Sequence, residues 1–327
     1  MKKIGLLMIL GLTILVVGAC SNEEGDAASN AEDVITIGII QTSEHPALDD
    51  GRDGFIRVIE AEGFNVEWDI QNGAGDATTL ATIAQRFVNN EVDLVLAIGT
   101  PAVQAMAAQT SDIPIIGTAI TTYTGAGVVE SHEAPRTNVT GASNLMPTYR
   151  QVELVLEFAP DIERVGILYT SGAINSEVQA IAMREHLAML GIEYDVLTIT
   201  NVNDLQQVAT TLAGRNDVIL TPSDNIIATA LPLIENISLE TGTLLFMSET
   251  NMTLGGGIAT VSISHYELGA QSAHMAARVL RGEADPATMP VEYQTEVGYI
   301  VNGHMVRAHG LTVPERLLPY VQYPEEN

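Results

Sequence analysis

The chain is short of basic residues and of cysteine, and it lacks the common catalytic motifs; each shortage removes a class of function. Against 41 acidic residues stand 14 basic ones, a formal net charge of −27. The only lysines are Lys2 and Lys3, and no run of Lys or Arg follows them. Such a surface repels phosphate backbones and anionic headgroups, which argues against nucleic acid as a partner. Cys20 is the single cysteine, so a disulfide within the chain is impossible and a thiolate metal site implausible. There is no G-x-S-x-G elbow, no G-x-x-x-x-G-K-[ST] loop, no G-x-G-x-x-G after the first strand and no H-E-x-x-H. The histidines at 45, 132, 186, 265, 274, 304 and 309 show no helical metal-ligand spacing with a carboxylate companion. The expectation is a protein without catalytic residues, metal or cofactor.

What is there is apolar and ordered. With 327 residues, 46% of them hydrophobic, the chain can build two domains at roughly 150 residues each. Met1-Lys2-Lys3 precedes an apolar run from Ile4 to Val17 that is too short to span a bilayer comfortably and reads as a signal peptide. It ends in Val17-Gly18-Ala19-Cys20, which resembles a bacterial lipobox, with Cys20 as the lipidated residue. Residues 1–20 are thus expected to be a lipoprotein signal, and residues 21–33, polar and without periodicity, a tether to the membrane. The folded part is placed outside the cytoplasm, anchored by lipid.

From Val34 the pattern alternates strand and helix twice over. VITIGIIQ (34–41) is continuously apolar and β-branched, as a parallel strand covered on both faces should be, and a helix opens at Pro46. Three further strands are expected at 64–71, 93–98 and 113–120, with helices between them. After Pro147 the alternation resumes, with strands at 165–169, 193–199, 218–221 and 244–247 and a last helix at 266–281. The fold class is α/β: two doubly wound parallel-sheet lobes joined by hinge strands, with 34–145 plus about 265–327 as lobe one and 146–264 as lobe two.

Polar residues gather at the carboxyl ends of these strands, where open α/β sheets bind ligands. Gln41, Glu44 and His45 follow the first strand, Thr100 opens a helix after the third, and Thr121 follows the fourth. In the second lobe Asn175-Ser176 and Asp224-Asn225 hold the matching positions. Asp224 can offer a negative charge to an amine, while Thr100 and the helix starts around it can offer donors to a carboxylate, so a zwitterion fits.

IGIIQTSEHPALDDGRDGF (37–55), AIGTPAVQA (97–105), NVTGASNL (138–145), VGILYTSGAINS (165–176), LTPSDNIIA (220–228) and YELGAQSAHMAARVLRGE (266–283) resemble the ABC-transporter substrate-binding lipoproteins of the tryptophan/phenylalanine-binding type. The resemblance runs from about Ile35 to the Leu311 region and implies a type I periplasmic-binding-protein fold with a ligand closed between two lobes. It implies Gln41, Glu44, His45, Thr100, Asn175, Ser176, Asp224 and Asn225 as cleft positions. The sequence departs from the family's acidic T-D-P-like turn at Thr121-Thr122-Tyr123-Thr124, and has Ala173 where the family often has Glu. The function expected is therefore solute binding for an ABC importer. The ligand is a small molecule, an amino acid with an aromatic one favoured, and the partners are permease subunits. A sensory lipoprotein presenting its ligand to a membrane receptor needs the same cleft. A hydrolase using Glu44-His45 lacks a nucleophile.

Overall fold

The computed structural model describes residues 34–294 and 297–324. The expected signal peptide, Cys20 and the tether lie outside the described residues. The first half runs β1 (Ile35–Gln41), α1 (Pro46–Ala61), β2 (Val66–Asn72), α2 (Ala77–Asn89), β3 (Leu94–Ile98), α3 (Thr100–Ala107), β4 (Ile115–Ile120) and β5 (Val139–Ser143). The second runs α4 (Thr148–Phe158), β6 (Arg164–Thr170), α5 (Ile174–Leu190), β7 (Glu193–Ile199), α6 (Leu205–Ala213), β8 (Val218–Thr221), α7 (Leu231–Thr241), β9 (Leu244–Met247), α8 (Thr250–Leu254) and β10 (Ala259–Ser262). There follow α9 (His265–Leu280), β11 (Glu292–Tyr293), β12 (Gly298–Asn302), α10 (Gly303–Ala308) and β13 (Val321–Gln322).

The strands form a six-stranded sheet in the order β11-β5-β4-β3-β1-β2 and a four-stranded one in the order β7-β6-β8-β9. All neighbours in both are parallel. Their continuous apolar character follows from burial on both faces: Ile40, Val95 and Ala97 face α2 and α3, while Ile37, Ile39, Leu94 and Leu96 face α1 and α9. A three-stranded sheet, β10-β12-β13, completes the second lobe.

The chain passes between the lobes after β5, after β10 and between β11 and β12. The last passage changes the expected division. Helix α9 packs on α1, and β11 pairs with β5, so both stand with lobe one. Strand β12 instead pairs antiparallel with β10, and Val301, Met305, Val306 and Leu317 join the core of lobe two. Residues 298–322 thus lie with the second lobe, where sequence reading assigns them to the first. The physical reason is the open edge of β10, whose unpaired backbone groups β12 satisfies.

Helices α1 and α9 meet backbone to backbone. A Cβ on Gly269 would lie 1.9 Å from the Gly51 carbonyl oxygen, and one on Gly54 would lie 2.1 Å from that of Tyr266. Around this crossing Phe55 and Ile59 pack with Leu268, Ala273, Ala276 and Ala277. Glycine costs a helix about 1 kcal/mol relative to alanine, so here close approach outweighs propensity. Gly269→Ala and Gly54→Ala should each lower stability by roughly 1–3 kcal/mol or more in urea denaturation. Gly51→Ala, whose Cβ would meet nothing nearer than 3.6 Å, should be neutral or stabilising.

Candidate ligand-binding site

The carboxyl end of β1 runs into the amino end of α1 through a braced turn. Gln41 is buried; its amide donates to the Ser43 carbonyl at 2.8 Å and to Asp49 at 2.9 Å. Arg52 pairs with Asp49 at 3.0 Å and closes the brace. Gln41 therefore positions the turn. His45 is the N-cap of α1, and with Pro46 at the first position its extended backbone turns the ring out of the helix. Glu44 is exposed and lies outside the cleft residues described below. The Thr42 hydroxyl, not that of Thr100, serves the start of α3: it accepts from the Ala102 N–H at 3.3 Å and donates to the Ile98 carbonyl at 2.9 Å. The Thr100 and Ser43 hydroxyls are buried without a partner among the described residues.

After β4, Thr121 donates to the Asn144 side-chain oxygen at 3.1 Å. The register of β4 against β5 slips between Gly117 and Ile120, and Ala119 takes φ 57 within the slip. Such a bulge re-aims the chain and holds a conformation costly for a residue with a Cβ, beside the cleft that Ala119 lines. Tyr123, which the sequence places near this site, is instead a core residue. Its hydroxyl donates to the Ala142 carbonyl at 3.1 Å, in space that a Cβ on Gly117 or Gly141 would fill.

In the second lobe Asp224 is the hub. Its carboxylate accepts from the Thr170 N–H and hydroxyl, the Ser176 hydroxyl and the N–H groups of Ile226 and Ile227, at 2.7–3.1 Å. Asn175 donates to the Ser223 carbonyl at 3.0 Å, while the single Ser176 hydroxyl proton goes to the nearer, charged Asp224. Five donors saturate a carboxylate, so Asp224 ties β6, α5 and the loop after β8 together. The acceptor sites of the carboxylate expected to face an amine are thus taken within its own lobe. Asp224→Ala should strand these donors and cost about 3 kcal/mol or more, seen as a lowered Tm.

Among the described residues three polar contacts cross between the lobes. His45 Nε2 lies 3.3 Å from Asn225 Oδ1, the Asn251 amide donates to Asp50 at 3.2 Å, and Glu249 lies 3.6 Å from His265 Nδ1. Glu249 and His265 escape sequence reading. Glu is an unusual N-cap, yet Glu249 caps α8 by accepting from Asn251 and Met252 N–H groups at 2.8 Å each. The available signal is its place just after β9, at the same end of the sheet as Asp224. Burial raises the Glu249 carboxyl above its ordinary range, against the two N–H groups that lower it. Burial also lowers His45, partly offset by Asn225, and pushes His265 down to about 4. Among the described residues no group of three or more His, Cys, Asp and Glu side chains could hold a metal ion.

These residues enclose two cavities between the lobes. The inner one is ≈ 20 Å³ and lined by polar groups that include His45, Thr121, Asn175, Glu249 and His265. That is about the space of one water molecule. The outer one is ≈ 240 Å³ and includes Ser43, Pro101, Ala173, Val202 and Ile226. Asn175, Asp224 and Asn225 line both. Of the expected site residues, His45, Thr121, Asn175, Asp224 and Asn225 line these cavities, and Ser176 stands behind them holding Asp224. Gln41 and Thr100 are buried but line neither, and Glu44 is exposed and lines neither.

Two lobes of parallel α/β structure with a polar cleft between their strand ends make a solute-binding architecture, and the comparisons agree. Residues 36–323 match the family model described as ABC transporter substrate binding protein, and the chain belongs to that family. A tyrosine-binding protein from Clostridioides difficile (strain R20291) is 32% identical over 318 residues, 94% of this chain and 92% of the relative. An ABC domain in complex with L-Trp from Streptococcus pneumoniae superposes with a TM-score of 0.85 at 32% identity, over 88% of this chain and 99% of that one. The ligand-free, open structure of a substrate-binding protein with adhesive properties from Clostridium difficile gives 0.70 at 34% identity, over 90% and 100%. The fold is that of the type I periplasmic binding proteins, and the family is one of solute-binding proteins rather than enzymes. Substrate-binding proteins of ABC transporters work outside the cytoplasm; among the described residues no helix is long and apolar enough to cross a membrane.

Because the folded state holds His265 neutral, acid favours the unfolded chain, in which the ring protonates near 6.5. This residue's contribution to stability is therefore lost as pH falls from about 6.5 to about 4, a cost of about 3 kcal/mol at most. Imidazole nitrogen shifts in NMR should show His265 still neutral at pH 5, and a ring protonated at that pH would contradict its burial.

Proposed function

We propose that the chain is the lipid-anchored receptor of an ABC importer and closes its lobes on a free amino acid, an aromatic one favoured. The observation that carries this is the paired cleft: a water-sized polar recess beside a larger space where Ala74, Pro101, Ala173, Val202 and Ile226 stand among hydroxyl and amide side chains, both bounded by residues of the two lobes. An amino acid has that shape, a small charged head on a side chain of different polarity. The tyrosine-binding relative and the L-Trp complex support the class of ligand. The chain also superposes better on the L-Trp complex than on the open, ligand-free relative at similar identity, as a hinge between open and closed forms would produce. Permease subunits are the proposed partners, and the lipid on Cys20 is the proposed anchor.

A thermal-shift panel of the twenty amino acids, with sugars and nucleosides beside them, tests the ligand. Tyrosine, tryptophan or phenylalanine at 100 times its Kd should stabilise the fold by ~2.7 kcal/mol. A response confined to sugars or nucleosides would refute the reading. The anchor is tested separately: Cys20→Ser should release the protein from membranes with ligand affinity unchanged.

A further inference from the structure

We propose that Glu249, not Asp224, receives the ammonium group of the bound amino acid, and that this contact sets the preference for amines over otherwise identical acids. The inference rests on the amino-acid reading above. Among the described residues that line the two cavities, Asp224 and Glu249 are the carboxylates. Asp224 has no acceptor capacity left, with five internal donors on its two oxygens. Glu249 accepts one backbone N–H on each oxygen, which leaves each a free lone pair. His265 does not compete, since its ring nitrogen stands at 3.6 Å, beyond hydrogen-bond distance.

Position agrees with capacity. Glu249 lines the inner recess, whose ≈ 20 Å³ suits a group the size of water and so admits an ammonium, whereas an aromatic side chain needs the ≈ 240 Å³ space alongside. The charges around the recess come from both lobes. Helix α1 brings His45, Asp49 and Asp50, α9 brings His265, and the loop after β8 brings Asp224. Burial penalises the Glu249 anion, and an ammonium beside it offsets that penalty, so protein and ligand each supply the counter-charge the other lacks in a dry site.

The test is calorimetric titration of the full-length protein with L-tyrosine and its deamino analogue 3-(4-hydroxyphenyl)propionate, with L-tryptophan and indole-3-propionate as a second pair. The native protein should prefer the amine, and Glu249→Gln should weaken the amino acid by about tenfold or more while leaving the deamino acid little changed. A folded Glu249→Gln protein that keeps both affinities overturns the proposal. Should that variant fail to fold, Glu249→Asp keeps the charge and the helix cap but draws the carboxylate back by one methylene. Selective weakening of the amine then supports the proposal, and equal weakening of both ligands overturns it. A native protein that binds amino acids without preferring the amine refutes this inference alone; one that binds no amino acid refutes the parent reading as well.

Discussion

The close crossing of α1 on α9 is the contact on which the cleft depends. Helix α1 begins beside β1 in the first half of the sequence, and α9 begins where the chain has just returned from the second lobe. With glycine at 54 and 269 their backbones touch, which fixes the two amino ends side by side. His45 caps one helix and His265 opens the other, so a contact between glycines sets where two buried imidazoles face the second lobe. Leucine-sized side chains at this crossing would hold the helices 8–10 Å apart and move both rings.

The second lobe meets that frame with groups of unequal freedom. Asp224 spends its charge on its own lobe, and that rigidity fixes Asn225, which meets His45. Glu249 spends only half of its capacity on capping α8. A binding protein has to close without becoming permanently shut, and the cross-lobe contacts suit that need. They are few and polar, made by side chains whose alternative is water, so opening costs each only a modest net free energy. The buried cores lie within the lobes, with Met146 and Val297 at the crossings packed against a core of each, and residues 262–265 carry the chain across as a short connection.

Much of this architecture is legible in local pattern. Ile35–Gln41, Leu94–Ile98 and Ile115–Ile120 announce themselves as doubly covered strands because parallel sheets demand unbroken apolar runs. Strand β5 does not, since Val139–Ser143 carries Thr140, Gly141 and Ser143 in buried positions and satisfies them by tertiary bonds, Thr140 to the Met289 carbonyl and Ser143 to that of Thr121. Strand β12 is hidden for a related reason: five residues long, it takes its identity from pairing with β10. Of the expected cleft residues, His45 and Asn225 line the inner cavity, Glu44 is exposed and lines neither cavity, and at the start of α3 the Thr42 hydroxyl, not that of Thr100, accepts a backbone N–H.

By itself, then, the sequence determined the α/β alternation, the acidic surface, the positions of the strand ends and the expectation of an anchored solute receptor, because each is written in local pattern or composition. Only the tertiary structure decided which carboxylate keeps free lone pairs, that His265 and Glu249 line the inner cavity, and that residues 298–322 serve the second lobe. Those outcomes turn on which atoms find hydrogen-bond partners across long stretches of chain. Asp224 is saturated by Thr170 and Ser176, 54 and 48 residues away, and no local pattern records that.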